Sequence, residues 1–449
     1  MNERDSETIA GLLEQMGFAG TADYNDADII VINTCSVREN ADNRFFGQLG
    51  WIKHVKTRRP ETIVAVCGCM MQQEHIVEQI REKHAWVDLV FGTFNIAGLP
   101  GMIEELERSR APEPAVSILR ERLSIEEDLP VRRALPFKGS VNIMYGCNNF
   151  CTYCIVPFTR GREVSRDSES ILAEVRDIVA GGAKEILLLG QNVNSYAGAS
   201  NPGAGSPAVD FADLLEMVDA VPGVERIRFT TSHPKDLSSK LIDSFRPAEE
   251  GGLKRLCPSI HLPVQAGSTR VLERMNRRYT KEGYISLVEK IRAARPDIVV
   301  TTDFIVGFPG ETEEDFEDTM DVIERVRFDA AFTFLYSPRK GTPAAGYDDP
   351  FPEWAKKNRF ERMVGRLNEI TLEKNRAYMD SVQDVLVEGR SKTDFSMLSG
   401  RTFGGKLVNF KAPGNGRAES LTGAVLPVRI VSVKTFSFIG EAIGEAFER

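Results

Sequence analysis

The chain has 449 residues, of which 42% are hydrophobic and 27% charged, and its formal net charge is −9. This length allows two or three domains with substantial cores. No apolar run is long enough to span a bilayer, no basic-then-apolar leader is visible, and the acidic balance argues against nucleic-acid binding over the whole surface. A local basic face is still compatible with that total.

Residues 1–107 predict alternating helices and strands, which is typical of a doubly wound α/β domain with a parallel sheet. Helices are expected over 5–16, 38–56, 71–82 and 96–107, and strands over 27–35, 62–69 and 87–92. A doubly wound domain usually begins with a strand, whereas this segment begins with a helix. We therefore expect a strand upstream of Met1.

Three cysteines of this segment lie at the ends of predicted strands: Cys35, Cys67 and Cys69. The carboxyl ends of neighbouring parallel strands meet at one edge of a sheet, where ligands commonly bind. Cysteine is also among the most buried residue types, which favours a structural role for Cys67. Cys35 and Cys69 each begin a loop, and this position favours metal ligation.

Residues 108–138 are rich in Pro, Glu and Arg and predict a connector. Residues 139–376 then predict six βα units. The strands are expected over 140–145, 184–189, 224–230, 258–263, 298–306 and 330–336, and the helices over 168–180, 209–220, 236–246, 268–293, 312–325 and 353–376. This pattern is typical of an open, partial (βα)6 barrel, whose active site would lie at the carboxyl ends of the strands.

The densest chemical signal is GCNNFCTYCIVPFTRGR at 146–162, directly after the first strand of the predicted barrel. Cys147, Cys151 and Cys154 have the spacing C-x3-C-x2-C, and three such thiolates can hold an iron–sulfur cluster. In a four-iron cluster, three ligands leave one iron open to a small molecule, much as an open position makes a zinc site catalytic. Zinc binding and chance clustering are the alternatives, although no fourth Cys or His follows before His233.

Polar, glycine-containing segments follow three other strands of the predicted barrel. They are GQNVNSY at 190–196, LPVQAGS at 262–268 and DFIVGFPGET at 303–312. Each could be ordinary turn chemistry, but three of them on one rim indicate a ligand site. The candidate residues are Gln191, Asn192, Asn194, Gln265 and Ser268.

Residues 377–445 contain short β-branched strands separated by Gly-rich turns, which predicts a small antiparallel β-barrel. Between positions 384 and 434 there are eight Lys/Arg and four Asp/Glu, so the segment is locally basic. Its aromatic and basic residues alternate along the chain: Phe395, Arg401, Phe403, Lys406, Phe410 and Lys411. This composition favours RNA binding, and a capping module is the alternative.

Taken in order, these segments resemble the radical S-adenosylmethionine (radical SAM) methylthiotransferase family over the whole chain. The resemblance is carried by MNERDSE, NTCSVRE, CIVPFTRGREVSR, LLGQNVNSY, HLPVQAGS and DFIVGFPGET. It is strongest to the branch of the family that modifies tRNA. It implies a methylthiotransferase domain with an auxiliary cluster at 1–107, a linker at 108–138, a radical SAM barrel at 139–376 and a TRAM-like RNA-binding domain at 377–445.

The resemblance also implies the chemistry. Cys147, Cys151 and Cys154 would bind a [4Fe-4S] cluster that cleaves S-adenosylmethionine to a 5′-deoxyadenosyl radical, and Cys35 and Cys69 would bind an auxiliary [4Fe-4S] cluster. With two molecules of S-adenosylmethionine, a methylthio group would be added to carbon 2 of N6-isopentenyladenosine at position 37 of tRNA. The family's third auxiliary cysteine would lie just before Met1, and ligation by Cys67 is the alternative.

Further site residues are implied by the same resemblance. Tyr153 would lie near the adenine of the cofactor, and Gln191, Asn192 and Asn194 near its methionine part. Gln265 and Ser268 fall in the family's fourth-strand loop. From their position after the cysteine array, Arg160, Arg162 and Arg166 could contact phosphates or the cofactor carboxylate, with surface salt bridges as the alternative.

The implied partners are the anticodon stem-loop of tRNA, an electron donor such as a flavodoxin or ferredoxin, and proteins that deliver iron–sulfur clusters or sulfur. We expect a cytoplasmic monomer with no membrane association. Two alternatives apply the same chemistry to t6A37 of tRNA or to an aspartate of a ribosomal protein. A third is a non-catalytic iron–sulfur or zinc protein that binds RNA.

Overall fold

The computed structural model describes residues 1–35, 39–109, 113–121, 125–198, 208–412 and 418–443, with backbone only at 39–42, 418 and 419. Parts of the predicted connector (110–112 and 122–124) and of the predicted C-terminal domain (413–417 and 444–445) lie outside the described residues, as does position 38 of the first-domain helix. The chain forms two compact units. The first comprises 1–135, 142–166 and 339–342, and the second comprises 136–141, 167–338 and 343–449.

The first unit is built on a parallel sheet of four strands in the order β1-β2-β3-β4. The strands are β1 (Ile29–Thr34), β2 (Ile63–Gly68), β3 (Leu89–Phe91) and β4 (Ala115–Ser117). The helices are α1 (Asn2–Gln15), α2 (Glu39–Arg58), α3 (Glu74–Lys83) and α4 (Leu99–Arg108). Strand β4 corrects the prediction of a plain connector, because these residues pair in parallel with β3 and extend the sheet.

Both faces of this sheet are covered by helices. Alternate residues of β2, such as Val64 and Val66, pack in one core with α2 and α3, while Ile63 and Ala65 pack in a second core with α1 and α4. Every residue of β2 is buried, as expected for a central parallel strand. The doubly wound prediction is therefore confirmed.

Next in the chain comes β5 (Lys138–Asn142), which begins the second unit. The chain then returns to the first unit with β6 (Met144–Tyr145), α5 (Val156–Thr159) and β7 (Val164–Ser165). The second unit continues with α6 (Ser168–Ala180), β8 (Glu185–Leu189), β9 (Ala197–Gly198), β10 (Val209–Asp210), α7 (Phe211–Asp219), β11 (Arg226–Phe229), α8 (Ser239–Ser244) and β12 (Ser259–His261). It then contains α9 (Thr269–Arg274), α10 (Lys281–Ala294), β13 (Val299–Val306), α11 (Glu313–Val326), β14 (Ala330–Leu335) and α12 (Glu353–Asn375).

Six of these strands form the open barrel that the sequence predicted. They make two three-stranded sheets, β11-β8-β5 and β12-β13-β14, and a parallel bridge between Ile227 and Leu256 joins the two. The single helix predicted over 268–293 is wrong, since α9 and α10 are separate. Asn276 adopts a left-handed φ of 58° after α9, and the Thr280 side chain caps the start of α10.

The C-terminal strands close into a five-stranded barrel in the order β15-β16-β17-β19-β18. The elements are β15 (Val382–Arg390), β16 (Leu398–Thr402), β17 (Leu407–Lys411), α13 (Ala418–Leu421), β18 (Val425–Val433) and β19 (Phe438–Ala442). The barrel is antiparallel except at β17 and β19, which pair in parallel, so the prediction of a wholly antiparallel barrel is wrong at this closure.

Two arginines, the buried Arg226 and the half-buried Arg228, join this small barrel to the partial barrel of the same unit. Arg226 donates to the carbonyls of Arg401 and Asp384, each over 3.0 Å. Arg228 donates to the carbonyls of Thr402 and Phe403, each over 2.9 Å. Among the helices in the described ranges, none has both the length and the apolar character that crossing a membrane requires.

Candidate functional site

The cysteine array lies on a loop of the first unit that is closed at its base by the antiparallel pair β6 and β7. The Cys147 N–H donates to the Gly161 carbonyl over 3.1 Å and narrows the loop further. Gly146 adopts a φ of 69°, and a Cβ there would lie 2.0 Å from the Arg162 carbonyl oxygen. Only glycine therefore lets the chain turn into the array at this point.

None of the three cysteines of the loop forms a disulfide among the described residues. Cys151 is buried, and Cys147 and Cys154 are half-buried. Burial raises the pKa of the Cys147 thiol above its ordinary value, and a bound metal would overcome this effect because ligation deprotonates the thiol. Three cysteines on one closed loop offer the donor set that an iron–sulfur cluster with one open iron requires.

Across the described residues, no three His, Cys, Asp or Glu side chains already have metal-ligand geometry. The fit of a cluster to the loop therefore rests on the chemistry of its donors and on its fixed base, not on a preformed cage.

An aromatic face lies beside the array. The guanidinium carbon of Arg162 is 5.3 Å from the centre of the Phe150 ring, and Phe158 meets Phe150 edge-on with ring centres 6.4 Å apart. Phe150 and Phe158 are 37% and 52% exposed, and Tyr153 is half-buried. The predicted contacts of Tyr153 with adenine and of Arg162 with an anionic group stay predictions.

Cys35 and Cys69 lie at the carboxyl edge of the parallel sheet, as the sequence predicted. Strands β1 and β2 pair as far as Thr34 and Gly68, and each cysteine is the first residue after its strand. Gly68 adopts a φ of 98°, and a Cβ there would lie 2.2 Å from the Thr34 carbonyl oxygen. The two strands therefore approach this closely only with glycine at position 68.

Cys67 points into the core beneath α1 and α4 and is fully buried. Burial raises the pKa of its thiol well above the ordinary value of 9.0. Its neighbours in that core include Ile9, Leu12 and Phe91, which offer no polar partner. This position agrees with the structural role that the sequence favoured for Cys67.

Arg160 is buried in the first unit with 3% of its surface exposed, so the alternative of a surface salt bridge is wrong for this residue. Its Nε donates to the Cys69 Sγ over 3.0 Å, and its Nη2 donates to the Asp5 Oδ2 over 2.6 Å. Its Nη1 is buried and has no hydrogen-bond partner among the described residues. Burial lowers the pKa of Arg160, but the charges of Asp5 and Cys69 more than offset this and raise it above its ordinary value.

Asp5 is a site residue that the sequence reasoning did not identify. It lies in α1, within the segment MNERDSE, and is 7% exposed. From the same segment, the Asn2 Nδ2 donates to the Asn33 Oδ1 over 2.9 Å, and the Asn33 Nδ2 donates back to the Asn2 carbonyl over 2.8 Å. Three of the segments that carry the family resemblance therefore meet at one sheet edge. The presence of all three segments in one chain was the sequence signal that could have identified Asp5.

In the second unit, the loops after β8 and β11 are tied together. The Asn194 side chain exchanges two 2.9 Å hydrogen bonds with the backbone of His233. The Asn192 Nδ2 donates to the Asp236 Oδ2 over 2.7 Å, while its Oδ1 is buried without a partner among the described residues. Asn192 thus keeps a buried acceptor, and Asn194 joins the loops. Gln191 lies half-buried in the same loop.

Gln265 and Ser268 occupy the loop after β12. Gln265 adopts a left-handed φ of 72°, and its N–H donates to the Asp303 carbonyl over 2.9 Å. The Ser268 hydroxyl caps α9 and donates to the Asp315 Oδ1 over 2.5 Å. These contacts account for the loop conformation. The predicted cofactor role of both residues stays a prediction.

The aromatic residues expected to bind RNA divide between the core and the surface of the C-terminal barrel. Phe410 is fully buried, and Lys406 is half-buried with its ammonium bound within the unit, so the RNA-binding prediction is wrong for these two. Phe403 is half-buried under a guanidinium. Phe395 is 74% exposed, and Phe436, which the sequence reasoning overlooked, is 73% exposed.

Three family models match the chain in succession. The model described as uncharacterized protein family UPF0004 matches residues 1–92, the radical SAM superfamily matches 141–323 and the TRAM domain matches 376–443.

Relatives with named functions match almost the whole chain. A tRNA-2-methylthio-N(6)-dimethylallyladenosine synthase from Alkaliphilus oremlandii is 50% identical over 447 residues, covering 99% of this chain and 91% of the relative. Proteins of the same name from Acetivibrio thermocellus and Clostridium botulinum are 50% and 47% identical over 443 residues, covering 99% of this chain and 89% and 95% of the relatives.

Among solved structures, the radical S-adenosylmethionine methyltransferase TsrM from Kitasatospora setae, with cobalamin and a [4Fe-4S] cluster bound, matches with a TM-score of 0.51 at 14% identity. The match covers 76% of this chain and 73% of that protein, and it supports the fold alone.

Proposed function

The chain belongs to the family of tRNA-2-methylthio-N(6)-dimethylallyladenosine synthases, and we propose that it performs their reaction with two iron–sulfur clusters held by its first compact unit. It is a radical SAM tRNA methylthiotransferase. We place the modified adenosine at position 37, beside the anticodon. For the domains, we assign the auxiliary cluster to 1–107, the radical SAM barrel to 139–376 and the TRAM-like module to 377–445, with 108–138 as the linker.

One observation carries the two-cluster proposal: the first unit contains two separate sets of cysteines, none of them in a disulfide among the described residues. Cys147, Cys151 and Cys154 are proposed to hold the radical-generating cluster, and Cys35 and Cys69 are proposed as two ligands of the auxiliary cluster. When bound, these clusters supply the electron that cleaves S-adenosylmethionine and the sulfur that is transferred. An aromatic C–H bond, such as that at carbon 2 of the adenine, is inert to proton chemistry at neutral pH. A radical is therefore needed to activate it.

The protein's own groups would bind and orient the reactants. Tyr153 would stack near the adenine of the cofactor, and Arg162 would attract an anionic group. The Asn192 Oδ1, which has no hydrogen-bond partner among the described residues, is a buried acceptor suited to an ammonium group, such as that of the methionine part of the cofactor. Gln191 and Asn194 would shape the same loop, as Gln265 and Ser268 would shape the loop after β12.

The TRAM-like barrel supports RNA binding. The target adenine must leave the anticodon stack to react, as in other enzymes that act on bases. We propose that the exposed rings of Phe395 and Phe436 stack on unpaired bases. We also propose that a flavodoxin or ferredoxin supplies the electrons and that other proteins deliver sulfur. The protein would act as a monomer in the reducing cytoplasm.

The cysteine assignments are tested with anaerobically purified protein. Wild-type protein should hold about eight irons, as two four-iron clusters require. Cys151→Ala should abolish 5′-deoxyadenosine production, whereas Cys35→Ala should keep it but yield no 2-methylthio nucleoside in digested tRNA. Cys257→Ala, at a buried position of the second unit, is the control and should change neither product.

Methylthiolation by Cys35→Ala at the wild-type rate would show that the auxiliary assignment is wrong. About four irons in this chain but about eight in one extended upstream of Met1 would place the third auxiliary cysteine before Met1. About four irons in both would remove the second cluster, and zinc without iron would overturn the proposal.

The RNA proposal is tested by the binding of a tRNA anticodon stem-loop. Phe395→Ala should weaken binding by roughly 1–3 kcal/mol, the usual contribution of one stacked base. Trp354→Ala is the matched control, because Trp354 is also 74% exposed but lies on α12. Affinity should fall steeply with salt for wild type and both variants. Equal losses for the two substitutions would contradict the assignment.

A further inference from the structure

The contacts of Arg160 suggest a role beyond that of an ordinary ion pair. The guanidinium group has five N–H donors, and both the Nε and the Nη2 are used within the first unit, by Cys69 and Asp5. The Nη1 hydrogens are buried with no acceptor among the described residues. Leaving donors of a charged group unpaired in a buried site is costly, so the site suits an additional acceptor.

An anionic acceptor suits this charged donor, and a sulfur atom already accepts from the same guanidinium. Arg160 already donates to the Cys69 Sγ, and a metal-bound thiolate accepts N–H···S bonds as well. The charge of Asp5 balances the guanidinium and fixes its plane through the 2.6 Å bond to Nη2. Arginine suits this task better than lysine, because its rigid fork can serve two acceptors while a third donor remains available.

Arg160 also links the two cysteine sets. It follows α5 directly, six positions after Cys154, and α5 packs on the turn Cys69–Gln72. The Thr93 hydroxyl holds the end of α5 by donating to the Thr159 carbonyl over 2.9 Å. A short, pinned segment therefore connects the loop of the radical cluster with a ligand of the other site.

We propose that Arg160 is a positioning residue for the auxiliary cluster, holding the Cys69 sulfur by an N–H···S bond and offering its free Nη1 to an acceptor of the same cluster. This inference rests on the two-cluster function proposed above. Hydrogen bonds to the sulfurs and local positive charge set the reduction potential of iron–sulfur clusters. Arg160 should therefore raise the potential of the auxiliary cluster, and Asp5 should moderate that effect.

The test is a redox titration of the holoenzyme, followed by electron paramagnetic resonance. Addition of S-adenosylmethionine distinguishes the clusters, because only the signal of the radical cluster should respond to it. Arg160→Gln should lower the midpoint potential of the non-responding cluster enough to change its reduced-to-oxidised ratio at least tenfold, which is about 59 mV for one electron. Asp5→Asn should shift the same potential upward, and the radical cluster should keep its potential in both variants.

Arg160→Gln alone leaves Asp5 buried and unpaired, so the double variant Asp5→Asn/Arg160→Gln guards against a folding defect. It should also show a lowered potential. Arg132→Gln is the matched control, since Arg132 pairs with Glu14 of α1 but is half exposed, and it should shift neither potential.

A purely structural role predicts no opposite shifts. Wild-type potentials in Arg160→Gln and in the double variant, at full iron content, would overturn the Arg160 proposal alone. If both variants lose about four irons, Arg160→Lys decides: a lowered potential supports the proposal, and an unchanged one overturns it. Only about four irons, both in this chain and in one extended upstream of Met1, would overturn the two-cluster function, and the Arg160 proposal with it, before any variant is compared.

Discussion

The first unit contains two cysteine sites that are built in opposite ways. The loop at 146–162 carries its three thiols within a short segment, and local features close it: the β6–β7 pair, the turn at Gly146 and the bond from Cys147 to Gly161. The sheet edge assembles Cys35 and Cys69 from different strands and adds a guanidinium from elsewhere in the chain. One site is therefore formed within a single segment of the chain, and the other is assembled from segments that only the fold brings together.

This difference has energetic consequences. The loop exposes aromatic rings, so changes to these side chains should disturb function with modest effects on stability, whereas a Cβ at Gly146 meets the backbone and should disturb both. The sheet edge contains a buried ion pair and a tight strand contact, so changes there should disturb both. Four substitutions test this contrast.

The largest effect is expected from Arg160→Ala. It leaves the carboxylate of Asp5 buried without its partner, a change that typically costs about 3–5 kcal/mol. Hydrogen exchange of the peptide that contains α1, measured by mass spectrometry, should accelerate strongly. Arg132→Ala removes a half-exposed ion pair with Glu14 of the same helix and should cost less than about 1 kcal/mol. Comparable acceleration in both variants would show that the buried pair contributes no more than the exposed one.

Next come alanine substitutions at the two constrained glycines. Both Gly68→Ala and Gly146→Ala place a Cβ within 2.2 Å of a backbone oxygen, and both positions have a positive φ. We expect each to cost roughly 2 kcal/mol or more, with Gly68→Ala losing auxiliary-cluster iron and Gly146→Ala losing cofactor cleavage.

Gly17→Ala is the control for these two substitutions. Gly17 has a φ of 92°, but apart from its two chain neighbours no atom of the described residues lies within 4 Å of its Cβ position. Backbone strain alone should cost about 1 kcal/mol there, with iron content unchanged. Thermal unfolding and iron analysis of the three variants separate strain from steric clash. If Gly68→Ala matched Gly17→Ala in both measurements, the close strand contact would not matter for the site.

The smallest effect is expected from Cys67→Ala. The side chain is fully buried in the core under α1 and α4, so its loss should lower the free energy of unfolding by about 1–2 kcal/mol. Iron content and methylthiolation should be unchanged, in contrast to Cys35→Ala. A loss of about four irons in Cys67→Ala would instead identify Cys67 as a cluster ligand, and its assignment as a purely structural core residue would be wrong.

Much of this molecule follows from its sequence because the relevant signals are local. The spacing of Cys147, Cys151 and Cys154 lies within one segment, and alternating apolar patterns predicted the six barrel strands and most helices within a few residues. Strand β4 was missed because three residues carry little periodicity. The break between α9 and α10 was missed because Asn276 and Thr280 act through backbone geometry and capping.

The contacts that join distant residues were decided by the tertiary structure. The parallel closure of β17 against β19 depends on the register of the whole barrel, and the pairing of Arg160 with Asp5 and Cys69 depends on three segments packing at one edge. Sequence alone named Arg160 and Cys69 as separate candidates and passed over Asp5. A single sequence records which groups are present, but only burial and packing determine which of them meet, because those energies belong to contacts between residues far apart in the chain.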